Sequence, residues 1–319
     1  GAWLYKARQF AAEQDLWNAT LNQAIDRKNR AEGDLVYNNE ERARRLLKEA
    51  TDLVAPLDEN TTDRKNAKAA FVKELTDVQS KLKHEVRIDH PTEVFTATNS
   101  STGLHTLSLV GTTLASTDAS NNTLILVTPS TKTSKTLALP AESPRILSAA
   151  AITKENLILL TEENLALLAE TAKEKVGIIS FNILNASGTQ SVQAYNGRLY
   201  VLDTAKNMIW RYSASGSSYG QERPYLKQND PSLANGTSLA IDSNIYIGLS
   251  NGQVRKYLSG EESAWSLKNI DPPLTNIQSL WANPDSDRIV IVDRTGKRIL
   301  VVNKEGVLVT QFTSDKFND

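Results

Sequence analysis

The chain has 319 residues, 40% of them hydrophobic, and carries 36 Lys and Arg against 37 Asp and Glu for a net charge of −1. That supplies a core for one large domain or two smaller ones, and the balanced charge argues against nucleic acid as a partner, since phosphate binding needs a concentrated positive surface. The lack of cysteine excludes disulfides, thiolate metal sites and a cysteine nucleophile.

No apolar run approaches the ~18 residues of a membrane helix, and no secretory leader is visible. The first residue is Gly1 rather than Met, which reads as a processed product or a piece made for expression. Residues 1–88 are expected to be helical. Trp3, Phe10, Trp17, Ala24 and Ala31 recur every seven residues, with Leu4, Leu21, Ile25 and Leu35 beside them, so they run along one side of a helix. A second stripe follows at Ala43, Leu46, Leu47, Ala50, Leu53 and Val54. Pro56 stops it, because proline cannot donate the helix hydrogen bond. Thr61 or Thr62 then caps a third stretch through Ala67, Phe71, Leu75, Val78 and Leu82. The short link Pro56–Asn60 implies an antiparallel helical hairpin or short coiled coil. The stripe Trp3, Phe10 and Trp17 is the candidate seam for a partner helix or for self-association, because an amphipathic helix must bury such a face.

Past Pro91 the period changes to two. Five units follow, each an apolar strand, a polar turn and a second apolar strand: Thr112–Val127, Asn156–Leu168, Arg198–Tyr212, Asn244–Tyr257 and Arg288–Val302. The residue that meets the turn is Asp118, Thr161, Asp203, Leu249 and Asp293, at spacings of 43, 42, 46 and 44. An inner strand precedes each hairpin, near Leu104–Leu109, Ile146–Ile152, Ser191–Tyr195, Ser238–Ile241 and Gln278–Ala282. An outer strand follows, near Lys135–Leu139, Gly177–Ile183, Arg223–Leu226, Ala264–Asn269 and Val307–Phe312. Such a sheet alone leaves both faces wet, and stacking around an axis buries them. The expected fold class is therefore mainly β with N-terminal α: a β-propeller over 89–319 with five four-stranded blades, or six in a longer chain, behind the helices. Glu93–Thr98 is expected to add one strand that helps to close the ring. The recurring Asp is read as a turn residue that accepts backbone N–H groups two residues on.

The stretches LYVLDTAKNMIWRY and IVIVDRTGKRILVV, the latter followed by a turn and Leu-Val-Thr-Gln-Phe, resemble NHL-type propeller repeats. Helices directly ahead of such a propeller are similar to bacterial proteins in which a membrane helix precedes the helical part. That resemblance implies a membrane-tethered ectodomain outside the cytoplasm, with Gly1–Leu4 as the trimmed end of an anchor. It also implies binding of proteins or nucleic acids more often than catalysis. The strongly basic face of the RNA-binding members is missing here.

Catalytic chemistry has little footing in the sequence. No G-x-S-x-G elbow is present. His105 falls in the first inner strand, where it can face the channel, while His84 and His90 flank the link between helices and propeller. Scattered histidines without cysteine do not make a zinc site. Asp285–Asp287 and Asp118–Asn122 read as hairpin turns, not calcium loops. Gly216 and Gly220 sit in a loop without the strand-to-helix context of a phosphate cradle. No catalytic, metal or cofactor residue is assigned. Trp210 and Tyr212 alternate on one strand and read as inter-blade core. Tyr219, Tyr225 and Trp265 fall near loops or outer strands, so they join Trp3, Phe10 and Trp17 as the candidate interaction surface. The function expected is a non-catalytic binding or scaffolding module with a protein or other ligand on the propeller. A hydrolase or lyase at the channel, and the sensor domain of a larger regulatory protein, are the alternatives.

Overall fold

In a computed structural model the described residues are 2–97, 103–141, 143–163, 165–179 and 188–317. They form two compact units, Gly1–Val86 and Arg87–Asp319.

The first unit contains α1 (Ala2–Val36), α2 (Glu40–Val54) and α3 (Thr62–Leu82). Its core joins Trp17, Ala24 and Ala31 of α1 to Leu46, Leu47 and Val54 of α2 and to Phe71, Leu75 and Val78 of α3. The small residues at 24, 31, 43 and 50 are fully buried and let the helices approach closely. Thr61 caps α3, its hydroxyl accepting the Arg64 N–H at 3.2 Å. Buried Arg64 pairs with Asp58 at 2.8 Å and lies 5.6 Å over the Trp17 ring. The Trp17 indole donates to the Asp58 carbonyl at 3.0 Å. Among the described residues no helix is long and apolar enough to cross a membrane.

The second unit is a five-bladed β-propeller. Blade 1 runs β2 (Ser108–Val110), β3 (Thr113–Asp118), β4 (Thr123–Thr128), β5 (Thr133–Ala138). Blade 2 runs β6 (Ile146–Ala151), β7 (Asn156–Thr161), β8 (Ala166–Glu170), β9 (Lys175–Ile179). Blade 3 runs β10 (Thr189–Tyr195), β11 (Arg198–Asp203), β12 (Met208–Ser215), with its outer edge split between β13 (Ser218–Tyr219) and β14 (Arg223–Pro224). Blade 4 runs β15 (Gly236–Ile241), β16 (Ile245–Leu249), β17 (Val254–Leu258), β18 (Glu261–Glu262). Blade 5 runs β19 (Ile277–Ala282), β20 (Arg288–Asp293), β21 (Arg298–Asn303), β22 (Leu308–Thr313), with β1 (Glu85–Arg87) on its outer edge.

Three expectations need correction. The extra strand is not Glu93–Thr98: residues 93–97 are irregular and Thr98 lies outside the described residues. The chain instead joins the last blade at Arg87 and Ile88, where the Ile88 N–H donates to the Thr313 carbonyl at 2.8 Å. The outer strand of blade 4 is Glu261–Glu262, not Ala264–Asn269, because Ser259 and Gly260 both take positive φ (54° and 84°) and turn the chain straight back. In blade 3 the predicted Arg223–Leu226 strand shortens to Arg223–Pro224, because the chain first turns at Gly216 to pair Ser218–Tyr219 with the end of β12. Residues 180–183 of the strand expected in blade 2 lie outside the described residues.

The turn residues behave as their chemistry predicts. Asp118, Asp203 and Asp293 are all buried. Their carboxylates accept the N–H of Ser120, Lys206 and Gly296, two residues on in the first and three in the others. The second oxygen accepts from Asn121, the Trp210 indole and Arg298.

Four apolar clusters join blade 1 to 2, 2 to 3, 3 to 4 and 4 to 5. A serine adds a polar stitch at each of the four: at the first the Ser108 hydroxyl donates to the Ala149 carbonyl at 3.0 Å, and at the other three a serine accepts. In β6, β10, β15 and β19 the register slips just before Ser148, Ser191, Ser238 and Ser279. The first three hydroxyls accept the backbone N–H of Val192, Leu239 and Leu280 of the following blade, at 3.0, 3.2 and 3.0 Å. Ser279 makes no such bond among the described residues, and no buried cluster among them joins blade 5 to blade 1. Leu107 stays 74% exposed and Leu109 54% exposed. Replacing Ser148, Ser191 or Ser238 by alanine strands a buried N–H, a loss of about 1–2 kcal/mol each in denaturant titration, whereas Ser279→Ala is expected to be near neutral.

Candidate ligand-binding face

The first and third strands of each blade run the same way, so the turns after β15, β19 and β21 emerge at one end of the propeller. Two adjoining hollows open there. The first, of about 160 Å³, lies between the ends of the inner strands of blades 3, 4 and 5 and is lined by Gln193, Tyr195, Ile241, Trp281 and Pro284. Tyr195 is held by the tight turn Asn196–Gly197, both residues at positive φ. Trp281 is 44% exposed.

The second hollow, of about 470 Å³, shares Pro284 with the first and is lined by Asp242, Asn244, Lys256, Asp285 and Lys304 among others. Its ionic centre is the pair Asp242–Lys304. Asp242 also accepts the N–H groups of Ser243 and Asn244, and Lys304 reaches the Asn283 carbonyl at 3.3 Å. Burial alone would raise the Asp242 carboxyl, but Lys304 and the two backbone donors outweigh it and hold the group below the usual carboxylate range. Burial, followed by the charge of Asp242, pushes the neighbouring Tyr246 hydroxyl far above its ordinary value. Lys256 lies 5.7 Å over the Tyr246 ring. A depressed carboxylate stabilises the fold above its unfolded value of 3.8, and that contribution is lost as pH falls through the folded value. Acid titration is therefore expected to loosen the turns of blades 4 and 5 only below about pH 4, read as amide exchange at Ser243 and Asn244.

The residues singled out from sequence are dispersed. Trp265 underlies the charged hollow: its ring packs edge-on against Tyr246 at 5.7 Å and its indole donates to the Lys304 carbonyl at 2.8 Å. Tyr225 is half-buried between blades 3 and 4, edge-to-face with Tyr200 at 5.6 Å. Tyr219 is half-buried beside the cluster of blades 2 and 3. Burial raises both hydroxyls. Trp3 and Phe10 are 78% and 56% exposed on α1, whereas Trp17 is 5% exposed in the helical core. His105 donates its N–H to the Thr117 carbonyl and lines a groove on blade 1 with Phe95 and Leu107, away from the two hollows. Asp285–Asp287 and Asp118–Asn122 form turns, and no cluster able to hold a metal ion occurs among the described residues. The missed residues, Tyr195, Asp242, Lys256 and Lys304, converge from blades 3, 4 and 5. Only the Asn-Gly turn after Tyr195 gave a local signal.

No family model matches the sequence, and no curated protein matches it. Several solved structures are similar in fold. A chain of the nidogen/laminin complex superposes with a TM-score of 0.53 at 10% identity, covering 68% of this chain and 82% of that one. A catalytically inactive virginiamycin B lyase from Staphylococcus aureus, with quinupristin, gives 0.50 at 16% identity over 69% and 72%. A streptogramin B lyase gives 0.51 at 10% identity over 69% and 71%. At these identities the likeness is one of architecture, and it is to binding proteins and lyases alike that this five-bladed β-propeller with its N-terminal helices is similar.

Proposed function

We propose that the chain is a non-catalytic binding module whose propeller takes a protein ligand on the end that carries Tyr195, Trp281 and the Asp242–Lys304 hollow. The observation that carries this reading is the continuity of an aromatic recess with a charged one through Pro284. Aromatic anchors beside a polar rim are what protein recognition uses. The hollow's strongest acid and base candidates are committed elsewhere: Asp242 is held ionised by its donors and Tyr246 is held neutral by burial. Neither is poised to exchange a proton near neutral pH, which favours binding over lyase or hydrolase chemistry. The likeness to a chain of a protein complex supports the same reading. Tyr219, Tyr225 and Trp265 then serve as the packing behind the surface, and the helices serve as a spacer or, through Trp3 and Phe10, as a self-association element. The resemblance to NHL-type proteins with a membrane helix supports a tethered ectodomain.

The test is a random peptide library panned on the whole chain. Selected peptides are expected to lose about tenfold or more in affinity on Trp281→Ala, a truncation of the kind that dominates interface energies. The variant should keep the wild-type melting temperature, because Trp281 is not core. Peptides that bind wild type and Trp281→Ala equally would refute the assignment.

A further inference from the structure

Blade 5 has a second feature, on the face turned away from blade 4. Cross-strand partners share a face of a sheet, so Ser279, Val292, Ile299 and Phe312 line up there. The last three are half-buried, in contrast to Ile291 and Leu300 on the opposite face, which are fully buried. A cleft of about 520 Å³ lies on this face, floored by Val292, Ile299 and Phe317 and rimmed by Arg294, Lys297 and Lys316. All three rim cations are exposed, and no ion pair involves them among the described residues. The acid that lines the cleft, Asp293, is neutralised by Arg298 at 2.9 Å. The basic side chains elsewhere on this blade are paired, Arg288 with Asp287 and Lys304 with Asp242. The cleft thus combines an apolar floor with three unneutralised positive charges.

We propose that this cleft binds an extended acidic peptide segment anchored by an apolar side chain. Charge complementarity selects the acid: carboxylates meet Arg294, Lys297 and Lys316 around a site that presents no competing free anion among its lining residues. The other blade interfaces select the extended backbone. At each of three of them, a residue of an incoming strand, Val192, Leu239 or Leu280, lays its side chain in the apolar cluster and gives its N–H to a serine. Ser279 offers the same acceptor on the free face of blade 5. A peptide strand laid across that face reproduces the contact. The site is separate from the Tyr195–Trp281 end and does not depend on the function proposed for it.

The probe is a fluorescein-labelled peptide of alternating Glu and Leu, titrated by anisotropy against the whole chain, with an alternating Lys and Leu peptide as comparison. Saturable binding of the first and none of the second is expected. The triple variant Arg294→Glu, Lys297→Glu, Lys316→Glu should weaken binding about tenfold or more, since three rim pairs are lost and reversed. Its melting temperature should match wild type, because all three side chains are exposed. Phe317→Ser should weaken binding severalfold. A charge-matched control reversing exposed Lys6, Lys65 and Lys73 should also bind normally. Absence of saturable binding to the wild type overturns the proposal. Equal loss in the charge-matched control overturns it too, because binding would then follow net charge. Saturable binding of decanoate with none of the peptide would overturn it in favour of a small amphiphile.

Discussion

Arg298→Met is expected to be the most damaging single change in the propeller, at about 3–5 kcal/mol. The Arg298 side chain is 3% exposed and its ionic partner Asp293 is 1% exposed. Its guanidinium also donates to Gln311 at 2.8 Å and to the carbonyls of Pro272 and Pro273. One side chain therefore holds β20, β21 and β22 to the connector that enters blade 5. Methionine fills most of the volume but leaves the Asp293 carboxylate buried with the Gly296 N–H as its remaining donor. Breaking one side of a buried pair costs far more than replacing both. Chemical denaturation should show the loss as a lower midpoint at an unchanged slope. The double variant Arg298→Met, Asp293→Asn should recover part of it. A single variant as stable as wild type would show that the pair contributes nothing net.

Gly252→Ala is expected to cost about 3 kcal/mol. Gly252 closes the turn from β16 to β17 at φ +83°, a region that L side chains rarely adopt. A Cβ there would stand 2.2 Å from the Leu274 carbonyl oxygen and 2.5 Å from its carbon. These are backbone atoms of the connector between blades 4 and 5, so relief needs a main-chain shift rather than a rotamer change. Gly197, which also has positive φ (+69°) but nothing within 4 Å of its Cβ position, isolates the conformational part. Gly197→Ala should cost about 1 kcal/mol. Thermal melts of the two variants side by side would separate strain from collision, and equal shifts would remove the collision from the account.

The fold was legible because its signals are local. The seven-residue stripe in α1, the proline stop after α2 and the Thr61 cap each depend on neighbours a few residues away. The same holds for the strand–Asp–strand units, whose carboxylates bond the turns that follow them. What escaped was set at a distance or by a backbone sign. The short β18 follows from two positive φ angles at Ser259 and Gly260, and apolar pattern does not encode that turn. Trp17 repeats the spacing of Trp3 and Phe10 but meets α3 and Asp58, while the other two project beyond that core. Spacing alone gives a stripe its direction, not its length of contact. The candidate face was less legible still. Asp242 and Lys304 are 62 residues apart, and their pairing depends on two blades meeting at the correct angle. Tyr219, Tyr225 and Trp265 stood out as aromatics near loops, yet a half-buried ring between blades and an exposed one share the same sequence.

Three of the serine stitches run in one direction, blades 2, 3 and 4 each accepting an N–H from the blade that follows. Blades 3 and 4 therefore each carry both halves of the fastening: a hydroxyl for the next unit and an amide for the previous one. Duplication of a whole unit between two stitched blades would arrive with its fastenings in register, so the number of blades can change without inventing a new contact. Evolution can lengthen or shorten such a chain by unequal recombination and still obtain a folded product, with the unstitched join absorbing the change in angle.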